Sequence, residues 1–313
     1  MGGKMFEQKT LRSEVRFQGH GLHSGKPVSL RVLPAPPNSG IKFIRTDQNH
    51  HPIPARAECL GDTRLSTTLT RNGIQVATVE HLLASLAGLG IDNAQVELDG
   101  PEIPILDGSA SPFVEAFVEV GLLRQESLRD FLTVLKPIVV ADGEKRLAIF
   151  PSNDLRITYA IDFPHSAIGY QEREFRVSRN TFAEEIAPAR TFCLYRDVEE
   201  MRRQGLALGG DLGNAVVVGD DGILTGSLRY HDEFVRHKIL DLIGDLSLVG
   251  RPLRGHVVAF KGGHRLHTTL VRRLLETPDA WALSGGRESL PSQLLRGFDR
   301  QKAGLLPGQA LTA

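Results

Sequence analysis

The sequence predicts two similar domains, each mixing strands and helices, facing one another. Three observations predict it. The chain has 313 residues, more than one hydrophobic core comfortably supports, so two domains of roughly 130–180 residues are expected. Hydrophobic periodicity switches between two and 3.6 residues within each half. The two halves also echo each other: Val79-Glu80-His81 lines up with Val235-Arg236-His237. Each triplet continues as a predicted helix, followed by a glycine break, a strand, a Gly-containing loop and a second helix. The period is far too long for a solenoid. It reads as one duplicated unit, and duplication sets His81 and His237 in related positions.

The first third reads mainly as strands. Val15-Arg16-Phe17, Val28-Ser29-Leu30-Arg31-Val32 and Ile41-Lys42-Phe43-Ile44 alternate or cluster apolar residues between Gly and Pro breaks. Residues 65–69 and 74–77, on either side of Asn72-Gly73, read as a hairpin. A helix follows, with Thr78 as its expected N-cap. Val79, Leu82, Leu83, Leu86 and Gly90 supply its buried face, and Ala77, Ala84 and Gly88 a flank small enough for a second helix to approach. A strand over 94–98 and a turn-rich loop lead to a helix opened by Ser111-Pro112, with Pro in the first turn. Residues 123–130 are charged and lack strong periodicity, and read as a linker. The domains are accordingly placed at 1–126 and 127–313.

The second half resumes with strands over 131–140, 146–150 and 155–163. A helix over 231–249 carries an apolar stripe of Val235, Ile239, Leu242 and Leu246. After Gly250-Arg251-Pro252 come a strand over 256–260, the loop Lys261-Gly262-Gly263 and a helix over 266–276. The tail, 280–313, is rich in Gly, Pro, Ser and Gln and reads as loose.

Composition narrows the function classes. Apolar residues make up 41% and charged residues 24% of the chain, as in ordinary globular proteins. Thirty-seven basic residues balance 37 acidic ones, with no block of like charge, so binding to nucleic acid by counterion release has no footprint. The two cysteines, Cys59 and Cys193, are too few and too far apart for a disulfide framework or a Cys-based metal site. The polar start does not resemble a secretory signal. No stretch reaches the roughly 18 apolar residues of a membrane span. A cytoplasmic protein is expected.

Some residues can carry chemistry. His237 and Asp241 stand at i and i+4 on one predicted helix, roughly 5–6 Å apart at Cβ, so both can reach one metal ion. Asp245 extends that stripe by a turn. Taken alone, the stripe also fits a solvated polar face, though the helix is otherwise apolar. Glu80-His81 opens an apolar helix. An acidic residue in a first turn has an ordinary electrostatic explanation, but adjacent side chains diverge, so His81 can ligate while Glu80 reaches a water. Two His and one carboxylate leave zinc an open position for water, as catalytic sites require. His264, after Gly262-Gly263, sits at an expected strand-to-helix turn as a candidate acid, with Asp245 able to hold its ring. Thr191 fits an oxyanion donor or a turn residue. His20 and His23 lack a carboxylate in helical register and read as loop residues.

Thr78-Val79-Glu80-His81-Leu82-Leu83, Leu89-Gly90-Ile91-Asp92-Asn93, Pro101-Glu102-Ile103-Pro104-Ile105, Leu106-Asp107-Gly108-Ser109, Ala189-Arg190-Thr191-Phe192, Leu208-Gly209-Gly210 and the run from Asp232 through Val235-Arg236-His237-Lys238 to Asp241 together resemble the UDP-3-O-acyl-N-acetylglucosamine deacetylases of lipid A biosynthesis. The likeness runs from about residue 10 to about residue 276. It implies an α+β fold of two similar domains, a duplicated β-α-α-β sandwich with helices layered between two sheets. It implies a Zn2+ ion on His81, His237 and Asp241, with Glu80 as general base. His264 would be the protonated imidazole, partnered by Asp245, and Thr191 would lie near the substrate carbonyl. Lys238, Phe163 and Phe192 would bind the UDP-linked acylated sugar, Phe163 stacking near uracil. An insert over about 193–214 would line an acyl passage with Leu194, Val198, Met201, Leu206 and Leu208. The reaction implied is N-acetyl hydrolysis, releasing acetate. The expected partner is that substrate alone, with no nucleic acid, at most transient membrane contact and a monomeric enzyme.

Overall fold

The computed structural model describes residues 6–285, 289–291 and 305–306. The duplication is visible in its topology. In the first half, strands Val15–His20 and Pro27–Pro34 form an antiparallel hairpin. Ile41–Arg45 follows, then helix α1 (Glu80–Leu89), strand Ala94–Leu98 and helix α2 (Ser111–Val120). Ala94–Leu98 lies antiparallel to Pro27–Pro34 and parallel to Ile41–Arg45. The second half repeats this. Ile138–Asp142 and Lys145–Phe150 form the hairpin, and Leu155–Asp162 follows. Leu253–Phe260 pairs antiparallel with the second hairpin strand and parallel with Leu155–Asp162. Between them the chain forms helices α3 (Tyr195–Arg203) and α4 (Glu233–Leu246), and α5 (His264–Leu275) comes after.

The layers follow from which faces are apolar. Helix α2 packs on the first sheet, α4 on Leu155–Asp162 and Tyr170–Arg176, and α5 on the second hairpin. Helices α1 and α4 pack against each other between the sheets. Leu82, Leu86, Ile239 and Leu242 are buried in one continuous core that also takes in Val32, Phe43 and Ile157. Each such side chain contributes about 1.5–3 kcal/mol of burial. The two halves are thus joined through a shared helical layer. The contact between α1 and α4 is very close at Gly244, where an added Cβ would lie 2.1 Å from the Glu80 carbonyl oxygen.

The Asn72-Gly73 hairpin forms between Leu69–Arg71 and Ile74–Val76, with both turn residues at positive φ, 52° and 78°. This is the backbone that the Asn-Gly pair favours. Three local expectations differ. Thr78 does not cap α1. It takes φ 56°, and its hydroxyl donates to Glu102 Oε1 at 2.8 Å instead of to the helix. Residues 123–130 are not a linker throughout, because Leu122–Leu128 pairs antiparallel with Glu7–Leu11. This strand has no apolar alternation to read: Leu123 and Leu128 are exposed and Gln125 and Ser127 are half-buried, so only its pairing defines it. The small flank at Gly88 does admit a helical segment, taking the ring of Phe182 from the short helix Phe182–Ile186. In the tail, Trp281–Gly285 pairs with Asp130–Val134; residues 286–288, 292–304 and 307–313 lie outside the described residues.

Candidate metal centre

The crossing of α1 and α4 builds the site. Glu80 and His81 open α1, and His237, Asp241 and Asp245 follow one face of α4. Because Gly244 lets the helices touch, residues from the two halves come within side-chain reach. The rings of His81 and His237 stand 5.0 Å apart at their centroids and nearly perpendicular. Donor atoms of His81, His237 and Asp241 all lie within 4.8 Å of one another, and all three residues are buried. Asp241 Oδ1 lies 3.3 Å from His237 Nε2 and 3.6 Å from His81 Nε2. It is buried and has no hydrogen-bond partner. A buried carboxylate oxygen without a partner is costly, and a cation shared with two imidazoles would satisfy it. The donor set therefore fits a metal ion.

Neighbouring groups prepare these donors. His237 Nδ1 donates to the carbonyl of Ala189 at 3.0 Å, leaving Nε2 free to ligate. Burial, with His81 and Lys238 nearby, lowers His237 to about 3 against the opposing pull of Asp241, so its ring is neutral. Burial would raise the Asp241 carboxyl, but His237, Lys238 and His264 outweigh it and hold it well below the usual range. Lys238 Nζ donates to Asp241 Oδ2 at 2.6 Å. That lysine also lies over the Phe192 ring, 5.7 Å from its centroid.

Beside the donor set lies a second buried cluster of ionisable groups, Glu80, Asp245, His264 and His267. Burial raises the Glu80 carboxyl, helped by Asp245 and Asp241 and opposed by His264 and His81. Glu80 Oε1 is 3.7 Å from His264 Nε2. His264 is the first residue of α5, not a turn residue before it. Its Nδ1 donates to Asp245 Oδ2 at 2.9 Å. Burial opposes a charge on His264, but Asp245, Glu80 and Asp241 outweigh it and raise the ring to about 9. Asp245 Oδ2 also accepts from His267 Nδ1 at 2.8 Å, and His267 Nε2 lies 2.9 Å from the Tyr159 hydroxyl.

The remaining expected residues gather at one side. The Thr191 amide donates to the Gly108 carbonyl at 2.8 Å, and its carbonyl accepts from Val216. Phe192 meets Phe163 edge-on at 5.6 Å and Phe234 at 4.9 Å, and its ring centroid is 6.4 Å from that of His237. Arg190 anchors this segment by a bond from Nε to buried Glu233 at 2.8 Å. The insert forms α3 and a loop that leaves Leu208 and Leu212 more than half exposed. The Leu208 amide donates to the His23 carbonyl, which pins the loop over the 21–25 turn.

Two residues stand closer to the site than the sequence reading placed them. His23 is buried, with Nε2 unpartnered. Its amide and that of Ser24 donate to Glu102, the carboxylate that also holds Thr78. The glycines flanking His23 were the available signal for a close turn. Thr67, also buried, touches Glu80, Asp245 and His264, and nothing in its local sequence marks it.

Fold and site together define a class: a duplicated α+β enzyme with a buried His-His-Asp set, able to hold a metal ion, at the seam of its halves. Comparisons with known proteins refine this. The family model described as UDP-3-O-acyl N-acetylglycosamine deacetylase matches residues 8–276. A protein of Myxococcus xanthus named UDP-3-O-acyl-N-acetylglucosamine deacetylase is 49% identical over 90% of each chain. Proteins of the same name from Syntrophotalea carbinolica and a Geobacter species are 46% and 48% identical, covering 89% of this chain and 91% and 92% of theirs. The chain belongs to the UDP-3-O-acyl N-acetylglycosamine deacetylase family. Among the described residues no helix is long and apolar enough to cross a membrane.

Proposed function

We propose that this chain hydrolyses the N-acetyl group of a UDP-3-O-(3-hydroxyacyl)-N-acetylglucosamine, releasing acetate, the committed step toward lipid A, at a Zn2+ ion held by His81, His237 and Asp241. The observation that carries the metal reading is the orphaned, buried Asp241 Oδ1 between two imidazole nitrogens. Bound zinc supplies a Lewis acid that acidifies water and polarises a carbonyl oxygen.

The chain's own residues carry the protons. Glu80 takes one from the attacking water as its oxygen adds to the amide carbon. Its raised pKa suits it to accept a proton and give it up again. His264, charged and held by Asp245, steadies the oxygen that gains negative charge. It then gives its Nε2 proton to the departing sugar nitrogen as the carbon–nitrogen bond breaks. The 3.7 Å between Glu80 and His264 lets the proton gained by one replace that lost by the other. Thr191 is assigned beside the substrate carbonyl. Lys238, Phe163 and Phe192 are assigned to the sugar-nucleotide, and the apolar insert around Leu194, Val198, Met201, Leu206 and Leu208 to the acyl chain. The same reading divides the chain at residue 126 and makes it a cytoplasmic monomer with no nucleic-acid partner and at most transient membrane contact.

The test is acetate release from the UDP-linked substrate, with and without a chelator and then with zinc restored. Activity should vanish with chelation and return with zinc. Glu80→Ala should keep about one zinc per chain and lose at least about a hundredfold in kcat. A fully active Glu80→Ala would falsify the assigned base.

A further inference from the structure

We propose that Thr67 is a positioning residue of this reaction, a clamp that holds Glu80 of the first half and the Asp245–His264 pair of the second half in register across the seam. The proposal rests on the roles given to Glu80 and His264 above. Thr67 lies in the loop ahead of strand Leu69–Arg71 and is fully buried, at 0% exposure. Its three polar groups all reach the site. The amide donates to Glu80 Oε2 at 3.0 Å, the carbonyl accepts from the Val79 amide at 3.2 Å, and the hydroxyl is 2.5 Å from Asp245 Oδ1.

The direction of these bonds follows from the groups themselves. An ionised carboxylate only accepts, so the hydroxyl proton points to Asp245 Oδ1. The lone pairs of Thr67 Oγ1 then face His264 Nδ1, 3.3 Å away. A lone pair facing that nitrogen favours keeping the hydrogen on Nδ1, which also donates to Asp245 Oδ2, so the Nε2 proton is the one given up. Both imidazoles on Asp245, those of His264 and His267, bind Oδ2. Thr67 holds the other oxygen, so it sets the rotation of the carboxylate plane and with it the tilt of the His264 ring. The same residue fixes Glu80 through its amide. One loop residue therefore registers both ends of the proton path, which come from different halves of the chain.

The experiment uses the zinc-loaded enzyme and compares Thr67→Val, Thr67→Ala and Thr67→Ser, alone and with His264→Gln. Loss of a hydrogen bond to a charged group predicts a fall in kcat of about 10- to 100-fold in the Val and Ala variants, with KM and zinc content unchanged. Thr67→Ser restores the hydroxyl and should return to within about threefold of wild type. In the His264→Gln background the Val substitution should cost less than about twofold more, because its effect runs through His264. Wild-type kcat in Thr67→Val, an equal loss in both backgrounds, or no recovery with Ser overturns the clamp. If Thr67→Val does not fold, the Ala variant gives the same reading without the added branch. An inactive His264→Gln beside a fully active Thr67→Val removes this proposal alone. A fully active His264→Gln removes the assigned role of His264, and the clamp with it.

Discussion

At the scale of single residues, the site concentrates buried ionisable groups that would be unaffordable singly. Glu80, His81, His237, Asp241, Asp245, His264 and His267 are all buried. They persist because each charge faces an opposite one or a donor, as His264 and Lys238 face Asp245 and Asp241. This makes the metal-stripped protein sensitive to pH. His264 is raised to about 9 in the fold, against about 6.5 for an exposed imidazole. Between those values the folded chain binds more protons than the unfolded one, so stability falls as pH rises. The contribution is fully present below about pH 6.5 and is lost on rising through about 9. Urea unfolding of chelated protein from pH 6 to 9.5 should show this decline, and His264→Gln should flatten it. An equal slope in both proteins would assign the effect elsewhere. Among the donors, His237→Ala should abolish stoichiometric zinc binding, read by metal analysis after dialysis. Retention of one tightly held zinc would reassign the ligand.

Among elements, the contact between α1 and α4 decides the geometry. Gly244 has no Cβ because the Glu80 carbonyl occupies that space, 2.1 Å from where the atom would sit. The obstacle is backbone, so Gly244→Ala must push the two helices apart. Overpacking of this kind costs about 1–3 kcal/mol, to be read from the denaturation midpoint. It should also lower kcat, since the displaced residue is Glu80 itself. A stable Gly244→Ala with normal kcat would mean that the seam tolerates more movement than its packing indicates. The start of α1 is unusual in a second way. Thr78, β-branched, sits at φ 56°, a conformation that costs of order 1–3 kcal/mol. Glu102 holds it there through the hydroxyl and also accepts the His23 and Ser24 amides. The Pro101-Glu102-Ile103-Pro104 run thus supports the entry to α1 as well as the turn beneath the insert.

For the whole molecule, the candidate metal donors come from both halves, His81 from the first and His237 and Asp241 from the second. Metal binding should therefore stabilise the entire fold, not one domain. Free zinc at a hundred times its Kd adds about 2.7 kcal/mol of stability. Chelation should lower the thermal midpoint in a single transition, because α1 and α4 share one core. Two separate transitions, with only one moved by the chelator, would argue that the halves unfold independently.

The sequence by itself determined a good deal. Periodicity places α1, α2 and α4, and the Asn72-Gly73 turn with its hairpin. The Val79-Glu80-His81 and Val235-Arg236-His237 echo shows the duplication, and the i, i+4 spacing makes His237 and Asp241 a pair. These properties are local, or repeat locally, and need no knowledge of what packs against them. Tertiary structure alone decided the rest. Thr67 and Asp245 are 178 positions apart, and their bond has no sequence period. His23 looks like any loop histidine until the fold buries it. Gly244 looks like a weak helix residue until Glu80 fills its missing Cβ. Lys238 follows His237 in the chain, but only the fold turns it onto Asp241. Such contacts depend on where two independent surfaces meet. The duplicated halves bring their surfaces together at the α1–α4 seam, and that meeting makes a site from residues that are each unremarkable alone.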